Sequence, residues 1–351
     1  MGGVWVLLSE PAGYTMDLVR HIYEPRGVEY AFIDGCSTAS AEGAEALPVV
    51  SEMRVWERLR FFWRQLRTHT VIILNGYTRR YCLECFLLNW LFFRRAVGWD
   101  SDTELRIPTS RSRRFVKWIW LGWLFRQRNC FGLAGGNFSH RELFLHYGMD
   151  ERRVVVMPMM VDNACYVRNE PKMRSGRPFR FGYIGRLVGV KQVDKLLEAF
   201  RGLDIEVELH IVGAGKDREV LECLAKGCSN IYFHGAIFGA QKVALLQSLD
   251  CLVLYSCYEP WGLVVNEALA ARVPCIVSDR VGARHDLVEG EKPTGLVVPY
   301  NDLKALTVAM HRMVKDESLW LRCSRAAIER MAHWNYDYYA AQFDHFLEIA
   351  Q

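Results

Sequence analysis

The chain has no cysteine framework. Its 11 cysteines are scattered over 351 residues, and the lone Cys82-x-x-Cys85 has neither a second pair nor nearby histidines, so no metal site is expected there. The start carries no signal peptide, which together with unpaired cysteines points to a reducing cytosol. The opening MGGVWV also lacks the hydroxyl residue that a myristoylation signal carries at position six. Long hydrophobic runs are missing as well. The apolar stretch within Cys82 to Val97 is too short to span a bilayer, and Phe115 to Phe125 is eleven residues long with Lys117 inside it, so it is buried or interfacial. No nucleic-acid motif occurs, and the net charge is only +4.

That excess is unevenly placed. Residues 1–170 carry 22 Lys and Arg against 18 Asp and Glu, residues 171–351 carry 22 of each, and Arg54 to Arg128 has 16 basic residues against 5 acidic. Eight of the 11 tryptophans fall at or before Trp123. Arg54 to Arg67 reads as a basic amphipathic helix, with Val55, Trp56, Leu59, Phe62, Trp63 and Leu66 on one face and Arg58, Arg60, Arg64 and Arg67 largely off it. Arginine beside tryptophan suits the headgroup layer of an anionic membrane. The plainer alternative is helices packed on a sheet with solvated arginines.

A chain of this length divides by default into two domains, and strands alternate with helices in both halves. In the first, VWVLLSE, Gly27 to Asp34, Thr70 to Leu74, Glu104 to Pro108, Phe131 to Ala134 and Val154 to Met157 read as strands. Helices are expected from Thr15 to Tyr23, Arg54 to Arg67, Cys82 to Val97 and Phe138 to Tyr147, and a loop from Ser37 to Pro48. Asn169 to Pro178, NEPKMRSGRP, has the composition of an interdomain linker. The second half alternates more cleanly, with strands at Phe181 to Ile184, Val207 to Val212, Ile231 to His234, Cys251 to Tyr255 and Cys275 to Ser278. Such βαβ series make parallel sheets with sites at the strand carboxyl ends.

Three loops of the second half carry chemistry. Glu259 to Glu267, EPWGLVVNE, follows a strand and opens a helix at about Gly262. The amides of Gly262, Leu263 and Val264 at that helix start suit a phosphate. Glu259 ahead of the helix and Glu267 inside it are placed to accept hydrogen bonds from the hydroxyls of a sugar and of a ribose. Phe181 to Lys191, FGYIGRLVGVK, ends a strand with Gly185, Arg186 and Lys191, and two cations there can neutralise a departing diphosphate without a metal. In VGAG, Gly213 opens a turn that can admit a base or ribose.

These motifs, GRLVGVK with a helix ending LLEAF, then LHIVGAG, EPWGLVVNEALA, VPCIVSD and TGLVVPYND, resemble the retaining family 4 glycosyltransferases with the GT-B fold, from about Ala134 to His311. The resemblance implies an α/β protein of two Rossmann-like domains facing a central cleft. It divides into an acceptor domain of residues 1–168, a linker of 169–178, a donor domain of 179–334, and a last helix within 335–351 crossing back to the first domain. It assigns Arg186 and Lys191 to the donor diphosphate, Glu259 to the donor sugar, Gly262 and Leu263 amides to phosphate and Glu267 to ribose. Glu259, Lys191 and Arg186 form the expected catalytic set, and Gly13, Gly185, Gly213, Trp261 and Val264 complete the donor site. Asn75, Tyr77, Thr109, Ser110 and Arg111 are the acceptor-side candidates.

This sequence departs from the family at three places. It has only Gly13 where paired glycines are common, no histidine in the loop Ile107 to Ser112, and Arg272 where a glycine is usual. The implied activity is retaining, metal-independent hexosyl transfer from a UDP- or GDP-sugar to a hydroxyl. The acceptor would be a glycan or lipid-linked acceptor at the inner face of a bacterial membrane, in cell-surface polysaccharide or lipid-linked glycan synthesis. No cofactor and no nucleic-acid partner are expected. Two alternatives stay open: a GT-B nucleotide-sugar epimerase, which would turn over donor without acceptor, and a non-catalytic nucleotide-sugar-binding scaffold, which slow donor hydrolysis would exclude.

Overall fold

Each half of the chain folds around its own parallel sheet. The computed structural model describes residues 3–35, 47–101, 103–168 and 176–351. The chain divides into unit 1, Met1–Val161 with Tyr336–Gln351, and unit 2, Asp162–Asn335. The loop expected over residues 37–48 falls mostly outside the described residues, as does most of the linker expected over 169–178.

Unit 1 contains β1 (Gly3–Leu8), α1 (Gly13–Leu18), β2 (Glu29–Phe32), α2 (Val55–Thr68), β3 (His69–Asn75), α3 (Arg80–Leu88), β4 (Ala96–Ser101), α4 (Arg111–Phe125), β5 (Cys130–Ala134), α5 (Ser139–His146) and β6 (Val154–Val156). Its six strands run β2-β1-β3-β4-β5-β6, every pair parallel. Parallel sheets are covered on both faces, which is why these strands read as continuous apolar runs. One face carries Trp5, Leu7, Ile72, Leu74, Val97 and Trp99 into a core with α2, α3, α4 and α5.

Three expectations fail in this unit. The helix expected from Cys82 to Val97 ends earlier: after α3 a π-helical turn, Asn89–Phe93, stops at Arg94, which takes the left-handed conformation at φ 58. The chain then enters β4, and Gly98 lies inside this strand because Leu133 Cδ1 would come within 2.7 Å of a Cβ there. Glu104 to Pro108 accordingly forms no strand. On α2 the buried residues are Arg58, Phe62, Gln65 and Leu66, so the inward face is rotated from the expected one. Arg58 is held inside by Glu84 at 2.8 Å, while Trp56 is 82% exposed. The helix expected from Thr15 is α1 followed by a π-helical turn, Val19–Tyr23.

Unit 2 contains β7 (Phe179–Ile184), α6 (Val193–Arg201), β8 (Val207–Val212), α7 (Arg218–Leu224), β9 (Ile231–Gly235), α8 (Gly239–Ser248), β10 (Cys251–Leu254), α9 (Leu263–Ala270), β11 (Cys275–Ser278), β12 (Gly295–Val298), α10 (Leu303–Lys315) and α11 (Glu317–His333). Its strands run β12-β11-β10-β7-β8-β9, again all parallel. The apolar face of α6, with Val193, Leu196, Leu197 and Phe200 buried, is the i, i+3, i+4, i+7 stripe that its sequence carries. Arg177 grips Asp250 through both terminal guanidinium nitrogens, at 2.7 and 3.0 Å, and so pins the chain where it enters β7. The last helix, α12 (Tyr336–Ile349), belongs to unit 1. There Tyr339 meets the Tyr23 hydroxyl at 3.1 Å, and Asp344 takes a two-point hydrogen bond from Arg26.

Candidate functional site

The strand order of unit 2 reverses between β7 and β10, and loops leaving the carboxyl ends at such a switch point diverge to leave a crevice. The β7 loop carries Gly185, Arg186 and Lys191; the β10 loop carries Glu259. Because these two strands are neighbours, residues far apart in sequence meet: the Lys191 ammonium donates a hydrogen bond to Glu259 Oε2. Lys191 is only 8% exposed. It sits in a 3-10 turn, Gly189–Lys191, that the β10 loop holds through Cys257 N donating to Val190 O at 2.9 Å.

Arg186 stands exposed at the turn of the same loop, whose carbonyl accepts from the Tyr183 hydroxyl at 2.8 Å. Burial pushes the Tyr183 phenol well above its ordinary pKa, and the Glu259 charge adds to this, so the hydroxyl remains a donor. Behind the loop lies the Gly213 turn. A Cβ on Gly213, at φ +142, would fall 1.8 Å from Gly185 O, and one on Gly215 would fall 2.2 Å from Leu187 O. The two glycines let the loops zip together, with Gly185 N donating to Val212 O at 3.0 Å and Leu187 N to Ala214 O at 2.9 Å. Gly213 thus supports the Arg186 loop from behind.

Gly262 is the N-cap residue of α9, in the left-handed conformation at φ 96, which glycine alone adopts at little cost. The amides that follow it begin the helix at Leu263 and Val264. The preceding segment is braced by the loop after β11: Glu259 N donates to Arg280 O at 3.1 Å, Gly282 N to Glu259 O at 3.0 Å and Ala283 N to Trp261 O at 3.0 Å. Trp261, expected on the donor, is 2% exposed. Its indole donates to Asn266 Oδ1 at 2.8 Å and stacks on Trp334 with centroids 5.6 Å apart. The side chain is therefore a prop under the loop, a correction to its expected contact with donor.

Glu267 lies one turn into α9 and is 7% exposed. Its Oε1 accepts from the Tyr166 hydroxyl at 3.1 Å and from the Lys242 ammonium at 2.6 Å, while Oε2 is buried without a hydrogen-bond partner among the described residues. Sequence reasoning missed Lys242 and Tyr166. Neither lies in a motif, and only the approach of α8 and the residues before β7 to α9 brings them there.

In unit 1 the switch point is between β1 and β3, and a cleft of about 330 Å³ lies at the strand ends there. Asn75 lines it and donates to Asp100 Oδ2 at 2.8 Å, and Ser9 donates to Asn75 Oδ1. Gly13 is exposed at the start of α1 with open space where a Cβ would be. The other acceptor-side expectations separate from this cleft. Tyr77 is buried against Phe125. Thr109, Ser110 and Arg111 lead into α4, and Arg111 is already helical where a loop was expected. Cys82 and Cys85 are buried, which pushes the Cys82 thiol up to about 12 and the Cys85 thiol upward as well.

The family model described as "Glycosyl transferases group 1" matches residues 169–330. Among curated proteins, glycogen synthase of Mycobacterium tuberculosis (strain CDC 1551 / Oshkosh) is 27% identical over 215 residues, 60% of this chain and 51% of that one. The GDP-mannose-dependent alpha-mannosyltransferase of the same strain is 32% identical over 168 residues, 46% of this chain and 42% of that one. The chain thus spans about half the length of the curated relatives it matches. Among solved structures, Anabaena Alr3699/HepE in complex with UDP aligns with a TM-score of 0.76 at 15% identity, over 99% of this chain and 100% of that one. The lipopolysaccharide outer core galactosyltransferase WaaB aligns with a TM-score of 0.73 at 15% identity, over 99% and 98%. These likenesses carry the fold, and the family match covers the unit that holds Arg186, Lys191, Glu259 and Glu267. Residues 169–330 are thus similar to the glycosyl transferases group 1, and the chain has the GT-B fold of the solved structures it aligns with.

Proposed function

We propose that the chain is a retaining, metal-independent glycosyltransferase that moves a hexosyl group from a nucleotide diphosphate sugar to a hydroxyl. The observation that carries this reading is the contact of Lys191 with Glu259 at the switch point of unit 2, beside the start of α9 at Gly262. In this reading the diphosphate takes up Lys191, Arg186 and the amides of Leu263 and Val264, and Glu259, released from Lys191, accepts from donor sugar hydroxyls. Glu267, oriented by Tyr166 and Lys242, accepts from ribose. As the bond to the sugar breaks, negative charge grows on the leaving diphosphate, and fixed cations there are worth more than in water.

The names of similar proteins support a nucleotide sugar as donor: one is described in complex with UDP, another as GDP-mannose-dependent. UDP- and GDP-sugars are the donors to try first. We infer further that the acceptor is a glycan or lipid-linked alcohol taken at unit 1. The protein would then work peripherally on the inner, cytosolic face of a membrane, for which the Arg- and Trp-rich stretch of unit 1 is the support. Among the described residues no helix is long and apolar enough to cross a membrane. A thermal-shift screen over UDP-, GDP-, ADP- and CMP-sugars tests the donor. A ligand at 100 times its dissociation constant stabilises by about 2.7 kcal/mol, and absence of any shift across the panel contradicts the reading.

A further inference from the structure

We propose that a groove along the first half of α4 holds the phosphate and adjoining acyl chain of an anionic phospholipid, so that this helix seats unit 1 on a bilayer. This deepens the membrane-surface reading above and rests on it. The helix changes character halfway. Leu121, Gly122, Leu124 and Phe125 are buried, with Phe125 packed on Phe144 and Tyr147. The earlier residues stand clear of the unit: Phe115 is 62% exposed, Val116 65%, Trp118 48% and Ile119 49%. Apolar side chains concentrated on one half of a helix that is otherwise anchored in the core mark a surface that something apolar covers.

Beside them runs a groove of about 450 Å³ whose apolar walls are Ile107, Phe115, Trp118 and Tyr147, with Arg111 and Arg114 along it. Arg111, Arg113 and Arg114 are exposed within the first turn, and that turn has no acidic residue. The occupant must therefore be both anionic and apolar. A second copy of this chain fits poorly, since an isologous contact would set the arginines against themselves. A free phosphate has no use for Phe115 and Trp118. A phospholipid supplies both parts, with aromatic rings at the headgroup boundary and arginines on the phosphate.

The surface also continues beyond the groove. Trp123 meets Trp90 at 5.6 Å and Trp63 meets Phe92 at 5.2 Å, which joins α4 through α3 and its π-helical turn to α2. In that turn Leu91 is 59% exposed and Phe92 60%. Exposed apolar side chains with arginines among them are the pattern of a protein lying on a membrane.

The test uses the full chain with vesicles of equimolar phosphatidylglycerol and phosphatidylcholine, and with phosphatidylcholine alone. The chain should sediment with the first and not the second, and Arg111→Gln with Arg114→Gln should weaken that binding about thirtyfold, as two lost surface contacts. Lipids brominated on their chains should quench tryptophan fluorescence, and Trp118→Phe should reduce the quenching. All of these side chains are exposed, so the variants should keep the parent's melting temperature. Equal binding of the double arginine variant, quenching unchanged in Trp118→Phe, or release of the protein from vesicles by inorganic phosphate as readily as by anionic lipid would each overturn the proposal. So would a dimer that the arginine variant dissolves. The UDP thermal shift, read on the same samples, reports on unit 2. Vesicle binding that the arginine and Trp118 variants leave unchanged sinks this inference alone, a shift without vesicle binding sinks the membrane-surface reading with it, and vesicle binding without a shift for any nucleotide sugar sinks the transferase reading alone.

Discussion

The Lys191 ammonium is hydrogen-bonded to the Glu259 carboxylate across 68 positions of sequence, and the two side chains are 9% and 15% exposed. Each satisfies the other, and under the proposed transferase reading they part for a ligand that brings both a phosphate and hydroxyls. On that reading a ligand with only one of these leaves the other partner bare, so the pair is expected to favour an intact nucleotide sugar over free nucleotide or free sugar.

Lys191→Ala is expected to lower turnover by about 10² to 10³, as loss of one fixed electrostatic group costs about 2.7–4 kcal/mol. The same variant leaves Glu259 largely buried and unpaired, which costs up to about 3–5 kcal/mol of stability. Combining it with Glu259→Gln should restore melting temperature but not turnover. Steady-state kinetics and thermal melts on the three proteins check this. Turnover of the single variant within about threefold of the parent would place Lys191 outside the reaction.

For Glu267 the expected effect is on affinity, because a ribose contact exists equally before and at the transition state. Glu267→Ala should raise the Michaelis constant for the donor with turnover kept. Lys242→Met should move the same constant in the same direction, since Lys242 orients the carboxylate through Oε1. A collapse of turnover with unchanged donor affinity in either variant contradicts the assignment.

Two glycines separate structure from contact. Gly213→Ala places a Cβ against Gly185 O at positive φ and should destabilise by about 2–5 kcal/mol through overlap and strain. Gly13→Ala meets open space and should leave stability within about 0.5 kcal/mol. If Gly13 lies near the donor phosphate, turnover of Gly13→Ala falls while its melting temperature stays. A stable Gly213→Ala protein would contradict the close loop packing.

How much could be read beforehand follows from where the information lay. Val207–Val212 and Cys275–Ser278 match their expected bounds because buried parallel strands are short apolar runs between turns. The helix start at Gly262 was legible from glycine and the apolar run after it. Arg58 was not: its place inside α2 depends on Glu84 from another helix, and a periodicity reading puts every arginine outside. Nor was β4, where Gly98 reads as a helix stop although it is packing against Leu133 that excludes a side chain. In the site, the residues on loops at strand ends were legible from glycine, charge and spacing. Lys242 and Tyr166, which hold Glu267, were not, since only tertiary contact connects them.

A cluster on β7, β8 and β9 gives a pH dependence. His210 faces His234 at 3.0 Å, Glu208 at 3.2 Å and the ring of Tyr232, and Glu208 is held by Arg180 at 2.7 Å. Burial lowers the His210 pKa, with the nearby His234 charge and Arg180 assisting against Glu208, and burial lowers that of His234. The unfolded chain then binds more protons than the folded one as pH falls through the ordinary histidine value of about 6.5. The contribution is therefore present above that pH and lost below it. His210→Asn should flatten the stability profile between about pH 7.5 and 5.5, measured by denaturant melts. An unchanged slope contradicts it.

The most direct test of the transferase reading is the anomeric configuration of the product. The protein is incubated with the nucleotide sugar that gives the largest thermal shift and with candidate acceptor alcohols, and the new linkage is read by proton NMR, alongside Glu259→Gln. The expected result is transfer with the donor's configuration retained, at a rate that falls sharply in Glu259→Gln. An inverted linkage, or equal rates for parent and variant, would contradict the roles assigned here to Lys191 and Glu259.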